Sequence, residues 1–280
     1  METYRLNSRL KENEKEIVIQ TANNPAEGTI SSSIYIDGVL SELFMMPHPI
    51  EDNPEKVISL VKETHGMRKD ELEALLAAYR NALTSNDNKL ICNLGQALYY
   101  KRLYKEAKKL LQTAVLIEPE FHVARMALAR VDLELGNITE ALENASQAAR
   151  QCPGYADYHN ALGEALVFNG DFAKAITEFQ DAVNINLYYA DAYFNLGLAV
   201  LKSVRAGSDQ RAAPQLLVRS RDALKKAAMV DSGFAGTSFE AGIKALESTQ
   251  LNKALEHFDL VNKQVKEKQG QEATIDQNLG

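Results

Sequence analysis

The sequence predicts a mostly helical protein, an α-solenoid of about five helix pairs that follows a small antiparallel β-meander and one long helix. Three observations predict this fold class. Small residues recur at intervals of 34 residues from Gly95 onward, residues 1–50 have strand periodicity, and residues 54–83 have helix periodicity. We therefore expect a sheet-and-helix module at 1–84, a repeat region at 88–268 and a disordered polar tail at 269–280.

Four strands are predicted near residues 3–10, 15–22, 28–36 and 39–46. Ile17-Val18-Ile19 and Ile34-Tyr35-Ile36 are rich in the β-branched and aromatic residues that strands prefer. Asp37-Gly38 between the last two runs is typical of a two-residue type I′ turn. The strands are therefore expected to form an antiparallel meander.

A long helix is predicted after the strands, from Pro54 to about Leu83, because apolar residues recur there at helical spacing. A four-stranded sheet with one wet face is too small to be stable alone. We therefore expect this helix to cover the sheet and to lead into the repeats through residues 84–87.

A periodic glycine marks the repeats. Gly95, Ala129, Gly163 and Gly197 are 34 residues apart, and each follows a leucine. A glycine inside a helix costs about 1 kcal/mol relative to alanine, so its recurrence indicates a place where two helices approach closely. Further small residues share the period, namely Ala107, Ala141 and Ala175, and then Ala114, Ala148 and Ala182.

This pattern resembles the tetratricopeptide repeat (TPR) family. Residues 88–121 hold the family's eight key positions as Ile91, Leu94, Gly95, Leu98, Ala107, Leu111, Ala114 and Pro119. Four further units are 122–155, 156–189, 190–234 with an insertion around Arg205 to Pro214, and 235–268. The resemblance implies antiparallel helix pairs that stack into a superhelix, whose concave groove binds partner proteins.

The resemblance also assigns groove residues, from positions 2, 5, 9, 12 and 13 of each first helix. We predict a partner-binding groove at Cys92, Gln96, Tyr99, Met126, Arg130, Asn160, Glu164, Phe194, Leu198, Phe239 and Ile243. The carboxylate clamp of chaperone-binding members is absent, because Cys92, Gln96, Ala127, Asp157 and Ala161 stand at its positions. The C-terminal half of the predicted groove is apolar. It is expected to hold an apolar helix or peptide of a partner, or else to be covered by neighbouring helices or by the chain's own tail.

Composition narrows the function classes. The net charge of −7 argues against nucleic-acid binding, and no apolar run is long enough for membrane insertion. The polar N-terminus has no signal peptide, so we expect a cytoplasmic, bacterial protein. The two cysteines and the five scattered histidines lack the spacing of metal ligands, so we expect no metal site. No catalytic or cofactor motif is present in the sequence. The resulting hypothesis is a non-enzymatic adaptor.

The alternative hypothesis is a nucleotide-sensing or enzymatic role for the N-terminal module. Arg5-x-x-x-Arg9 and Asn23-x-Pro25-x-x-Gly28 are similar to the two cyclic-di-GMP motifs of the PilZ family. The second motif normally has Ser at the place of Pro25, and the arginines fall within a predicted strand, so we interpret them as strand residues.

Self-association is a further expectation for the N-terminal module. The outer strand at 39–46 ends in an apolar run with no charge from Leu43 to Met46. An exposed strand edge of this kind is usually covered or paired. We expect a homo-oligomer built by residues 1–83, unless the first repeat covers the same surface.

Overall fold

The computed structural model describes residues 3–12, 14–48, 53–207 and 213–276, with the side chains of 213 and 266–276 excepted. The strands are β1 (Arg5–Glu12), β2 (Lys15–Asn24), β3 (Thr29–Ile36) and β4 (Val39–Pro47). The helices are α1 (Pro54–Ala82), α2 (Asn88–Tyr100), α3 (Tyr104–Ile117), α4 (His122–Glu134), α5 (Ile138–Gln151), α6 (Ala156–Phe168), α7 (Phe172–Ile185), α8 (Ala190–Arg205), α9 (Ala213–Val230), α10 (Thr237–Glu247) and α11 (Leu251–Asp276). Within the described ranges, no helix is both long and apolar enough to cross a membrane.

The four strands form one antiparallel sheet in the order β1-β2-β3-β4, so the predicted meander is confirmed. Asp37 and Gly38 join β3 to β4 with positive φ angles of 50° and 80°, as a type I′ turn requires. The register shifts after Ile34, which pairs with Glu42 while Tyr35 pairs with Leu40. Ser41 is therefore an extra residue of β4.

Helix α1 covers one face of this sheet, as predicted. Ile17, Ile19 and Ile30 point from the strands into a core that they share with Val61 and Leu76 of α1, and all five are buried. Alternate residues of β1 and β3 remain more exposed, which is the period-two pattern of a sheet with one covered face.

The chain divides into two compact units. The first comprises residues up to Leu110 together with the chain end from Gln271, and the second comprises Leu111–Gly270. The first helix pair thus lies largely with the sheet, whereas the sequence predicts a boundary before Asn88. Buried ion pairs connect the first helix pair to the sheet within the first unit: Lys15 Nζ of β2 lies 2.7 Å from Glu106 of α3, and Lys101 Nζ lies 2.9 Å from Glu42 of β4.

Small and large residues face each other within the helix pairs of the second unit. A Cβ added at Gly163 of α6 would lie 2.6 Å from the Phe179 ring of α7. In the preceding pair, the two corresponding positions are the buried Ala129 and Ala145. The periodic glycine therefore stands opposite a bulky residue, and alanine stands opposite alanine.

Two regions differ from the sequence expectations or lie outside the described residues. Residues 208–212, half of the predicted insertion around Arg205 to Pro214, lie outside them, and α9 begins at Ala213 with Pro214 in its first turn. Helix α11 continues to Asp276, whereas a disordered tail is expected from Gln269. The residues beyond Gln269 include several good helix formers and no proline, which is compatible with continuation of the helix.

Candidate functional site

Three of the predicted groove residues lie in the first unit, on α2. Cys92 is fully buried and accepts a hydrogen bond from Gln96 Nε2 at 3.4 Å, and burial raises the pKa of its thiol. Tyr99 is half-buried and its ring lies 5.7 Å from that of Tyr104. Of these three residues, Gln96 and Tyr99 remain partly accessible to a ligand.

The four apolar groove residues near the C-terminus are buried. Phe194 is 1% exposed, and its ring lies 4.7 Å from Phe234 and 6.3 Å from Phe258. Phe239 packs edge-on against the same Phe258 ring, at 5.8 Å. Leu198 and Ile243 belong to the same core cluster. This packing favours the interpretation in which neighbouring helices cover these residues.

The remaining predicted residues lie on the first helices α4 and α6, which contact each other in the second unit, and α8 packs next to α6. Met126 of α4 is buried in the core. Around the other predicted residues, α4, α6 and α8 present a group of polar side chains, which we call the polar face. Its members are Arg130, Asp157, Asn160, Glu164, Tyr189, Asp191 and Asn195.

Hydrogen bonds connect the polar face across two helices. The Asn195 amide of α8 donates to Asn160 Oδ1 and to Glu164 Oε1 of α6, each at 3.0 Å. Arg130 of α4 lies 3.7 Å from the Asp157 carboxylate, and both side chains are more than one-third exposed. The face is therefore ordered on α6 and α8, and open to solvent at Arg130 and Asp157.

The electrostatics of this surface are acidic. Arg130 is opposed by Asp157, Glu164 and Asp191, a net charge of −2 for these four residues. Burial raises the pKa of the Tyr189 hydroxyl; Arg130 opposes this increase, and the neighbouring carboxylates add to it. A neutral hydroxyl group thus lies among the carboxylates, where it can donate or accept a hydrogen bond.

Sequence reasoning missed Asn195 and Tyr189 as members of this surface. Asn195 is at position 6 of its repeat, which the carboxylate clamp uses but the five groove positions omit. Tyr189 is the N-cap residue that precedes α8. Comparing position 6 across all repeats would have identified Asn195.

The motifs behind the alternative hypothesis lie at the sheet. Arg5 and Arg9 are exposed on β1, and Arg9 Nη1 is 3.2 Å from Glu16. Asn23 is buried, and its side chain accepts a hydrogen bond from the Tyr4 backbone N–H at 2.6 Å. The asparagine thus anchors the strands, which agrees with its interpretation as a strand residue.

Comparison with known families agrees with the helix pairs. Residues 101–165 match one tetratricopeptide repeat model, and residues 160–223 match another. The chain contains a tetratricopeptide repeat segment. The TPR segment covers helices α3 to α8 in full, and with them the whole polar face.

Solved TPR structures match part of this chain. One is TTC0263, a thermophilic TPR protein of Thermus thermophilus, at 23% identity and a TM-score of 0.49, covering 69% of this chain and 98% of that one. Another is YrrB, a TPR protein with an unusual peptide-binding site, at 18% identity and 0.47, covering 71% and 97%. A third is residues 41-end of MamA from Desulfovibrio magneticus RS-1, at 20% identity and 0.47, covering 61% and 94%.

Proposed function

We propose that this protein is a non-catalytic scaffold whose polar face binds a basic, extended or helical segment of a partner protein. The TPR segment supports a role in protein interaction. The observation that carries the finer proposal is the set of carboxylates on the neighbouring helices α6 and α8, namely Asp157, Glu164 and Asp191. Lysine or arginine side chains of a ligand would meet these acceptors.

The architecture of the polar face suits recognition by charge and hydrogen bonds. Asn160 and Asn195 hold Glu164 in place through a hydrogen-bonded amide pair. A preorganised acceptor loses little side-chain entropy when a ligand binds. Asp157 and Asp191 lie in the first turns of α6 and α8 and add negative charge beside it.

An apolar ligand is less favoured than the sequence suggests. Phe194 and Phe239 would be its anchors, but both are buried against Phe258. An interface depends on large side chains that a partner can reach. We therefore assign partner binding to the polar face, which is accessible, and not to these buried phenylalanines.

The test uses random short peptides displayed to the full chain, followed by fluorescence anisotropy with the selected peptides. We expect enrichment of lysine and arginine, and binding that weakens as salt screens the charges. The variant Asp157→Asn/Asp191→Asn keeps side-chain size but removes two charges. Exposed charge pairs are each worth about 0.2 to 1 kcal/mol, so the affinity should fall between about twofold and thirtyfold.

A matched control removes two charges elsewhere. Asp222→Asn/Asp259→Asn changes exposed aspartates of the second helices α9 and α11 and should bind the peptides like wild type. The melting temperature of each variant is measured alongside, because Asp157 and Asp191 also stabilise helix N-termini. Selection of acidic or apolar peptides, or equal losses in both variants, would refute the proposal.

The cellular location and the oligomeric state of the protein stay predictions. The cytoplasmic location is an expectation from the sequence alone. A homo-oligomer through residues 1–83 agrees with the exposure of Val39 and Met45 on β4, which are 65% and 52% accessible. A scaffold that oligomerises through its sheet would present several polar faces to partners at once.

A further inference from the structure

A histidine and two carboxylates come together in the third helix pair. His159 projects from α6, and Glu178 and Asp181 project from α7, with one ligand atom of each within 4.8 Å of the others. His159 and Glu178 are mostly buried, with side chains 14% and 23% exposed. His159 lies two residues after Asp157, about 200° around the helix, so the cluster is separate from the polar face.

The hydrogen bonds of His159 fix its tautomer. Its Nε2 lies 3.0 Å from the Pro153 carbonyl oxygen, which can only accept, so Nε2 carries the proton. In a neutral imidazole, Nδ1 then has a lone pair and no hydrogen. Nδ1 nevertheless lies 2.8 Å from Glu178 Oε2, another acceptor. This contact requires either a proton on one of the two atoms or a metal ion between them.

Asp181 favours the metal ion over the proton. It is three residues from Glu178 on the same helix face, where two negative charges repel each other. One proton on Nδ1 compensates one carboxylate, whereas a divalent ion compensates both. Two tetrahedral ligands, each about 2.0 to 2.1 Å from an ion, lie about 3.3 to 3.4 Å apart, so Nδ1 and Oε2, which are 2.8 Å apart, would separate by about 0.5 Å to admit it.

We propose that His159, Glu178 and Asp181 bind a divalent transition-metal ion of the Zn²⁺ type. Imidazole and carboxylate ligands suit such ions. The Pro153 carbonyl would act as the outer hydrogen-bond acceptor that orients a metal-bound histidine. Coordination would join the α5–α6 connection, α6 and α7, and so stabilise the helix pair that holds Asn160 and Glu164. This site goes beyond the proposed peptide binding and does not depend on it.

The experiment is calorimetric titration of the chelator-treated full chain with Zn²⁺, paired with melting temperatures with and without the ion. We expect one ion per chain and a higher melting temperature when it is bound, because a ligand of the folded state stabilises that state. His159→Gln and Asp181→Asn should each weaken the affinity by about tenfold or more. Their metal-free melting temperatures show whether each variant is folded.

Two control variants distinguish this site from other side chains of the protein that could bind Zn²⁺. His257→Gln on α11 and Cys152→Ser, next to Pro153, should bind Zn²⁺ like wild type. Absence of Zn²⁺ binding by the folded wild-type chain would show that a proton occupies the contact and would overturn the proposal. Binding that survives His159→Gln unchanged, or is lost in Cys152→Ser, would overturn it as well. Peptide binding at the polar face is measured separately, so the two proposals can fail independently.

Discussion

Replacing Gly163 by alanine tests why a glycine recurs inside the first helices. The new Cβ would lie 2.6 to 2.9 Å from three atoms of the Phe179 ring. Carbon atoms in good contact are about 3.5 to 4.0 Å apart, so the ring or the helix must move by about 0.9 Å. Phe179 is 1% exposed within a packed cluster and has little room to do so.

The magnitude follows from two opposing effects. Overpacking a core costs about 1 to 3 kcal/mol, and replacing a helical glycine by alanine recovers about 1 kcal/mol. Gly163→Ala should therefore lower the free energy of unfolding by about 0 to 2 kcal/mol. Gly66→Ala in α1 is the matched control, because its Cβ meets nothing within 4 Å and only the gain of about 1 kcal/mol should remain.

Urea unfolding followed by far-ultraviolet circular dichroism measures both variants. Adding Phe179→Ala completes a double-mutant cycle and reproduces the alanine pair seen at Ala129 and Ala145. In that background Gly163→Ala should become stabilising, since the clashing ring is gone. If Gly163→Ala is as stabilising as Gly66→Ala, or if the cycle shows no coupling, the close-approach explanation is refuted.

Two further predictions concern the first unit. Lys15→Met leaves the buried Glu106 carboxylate without its partner and should cost about 3 to 5 kcal/mol of stability. The double variant Lys15→Met/Glu106→Leu should restore most of this stability. Urea unfolding measures both variants, and an equal loss of stability in the two would contradict the prediction. Sedimentation velocity of the full chain should show a homo-oligomer that Leu43→Lys/Met45→Lys dissociates, because charges block the exposed edge of residues 1–83. A wild-type monomer at high micromolar concentration would rule the oligomer out.

The sequence alone determined the elements whose signals are local. The Asp37-Gly38 turn, the strand alternation and the 34-residue spacing of Gly163 each depend on neighbouring residues or on one repeated unit. Such signals survive in the linear sequence because turn geometry and helix spacing are properties of short segments. The presence of the helical repeats and of the antiparallel sheet was therefore predictable.

The tertiary structure alone decided which predicted groove residues reach solvent. Family positions assign Phe194 and Phe239 to the groove, but Phe234 and Phe258 from later elements cover them. The position of Asn195 between two helices, and of His159 beside two carboxylates, likewise depends on contacts between segments distant in sequence. Periodicity specifies which face of a helix a residue occupies, but burial and charge depend on what other helices bring to that face.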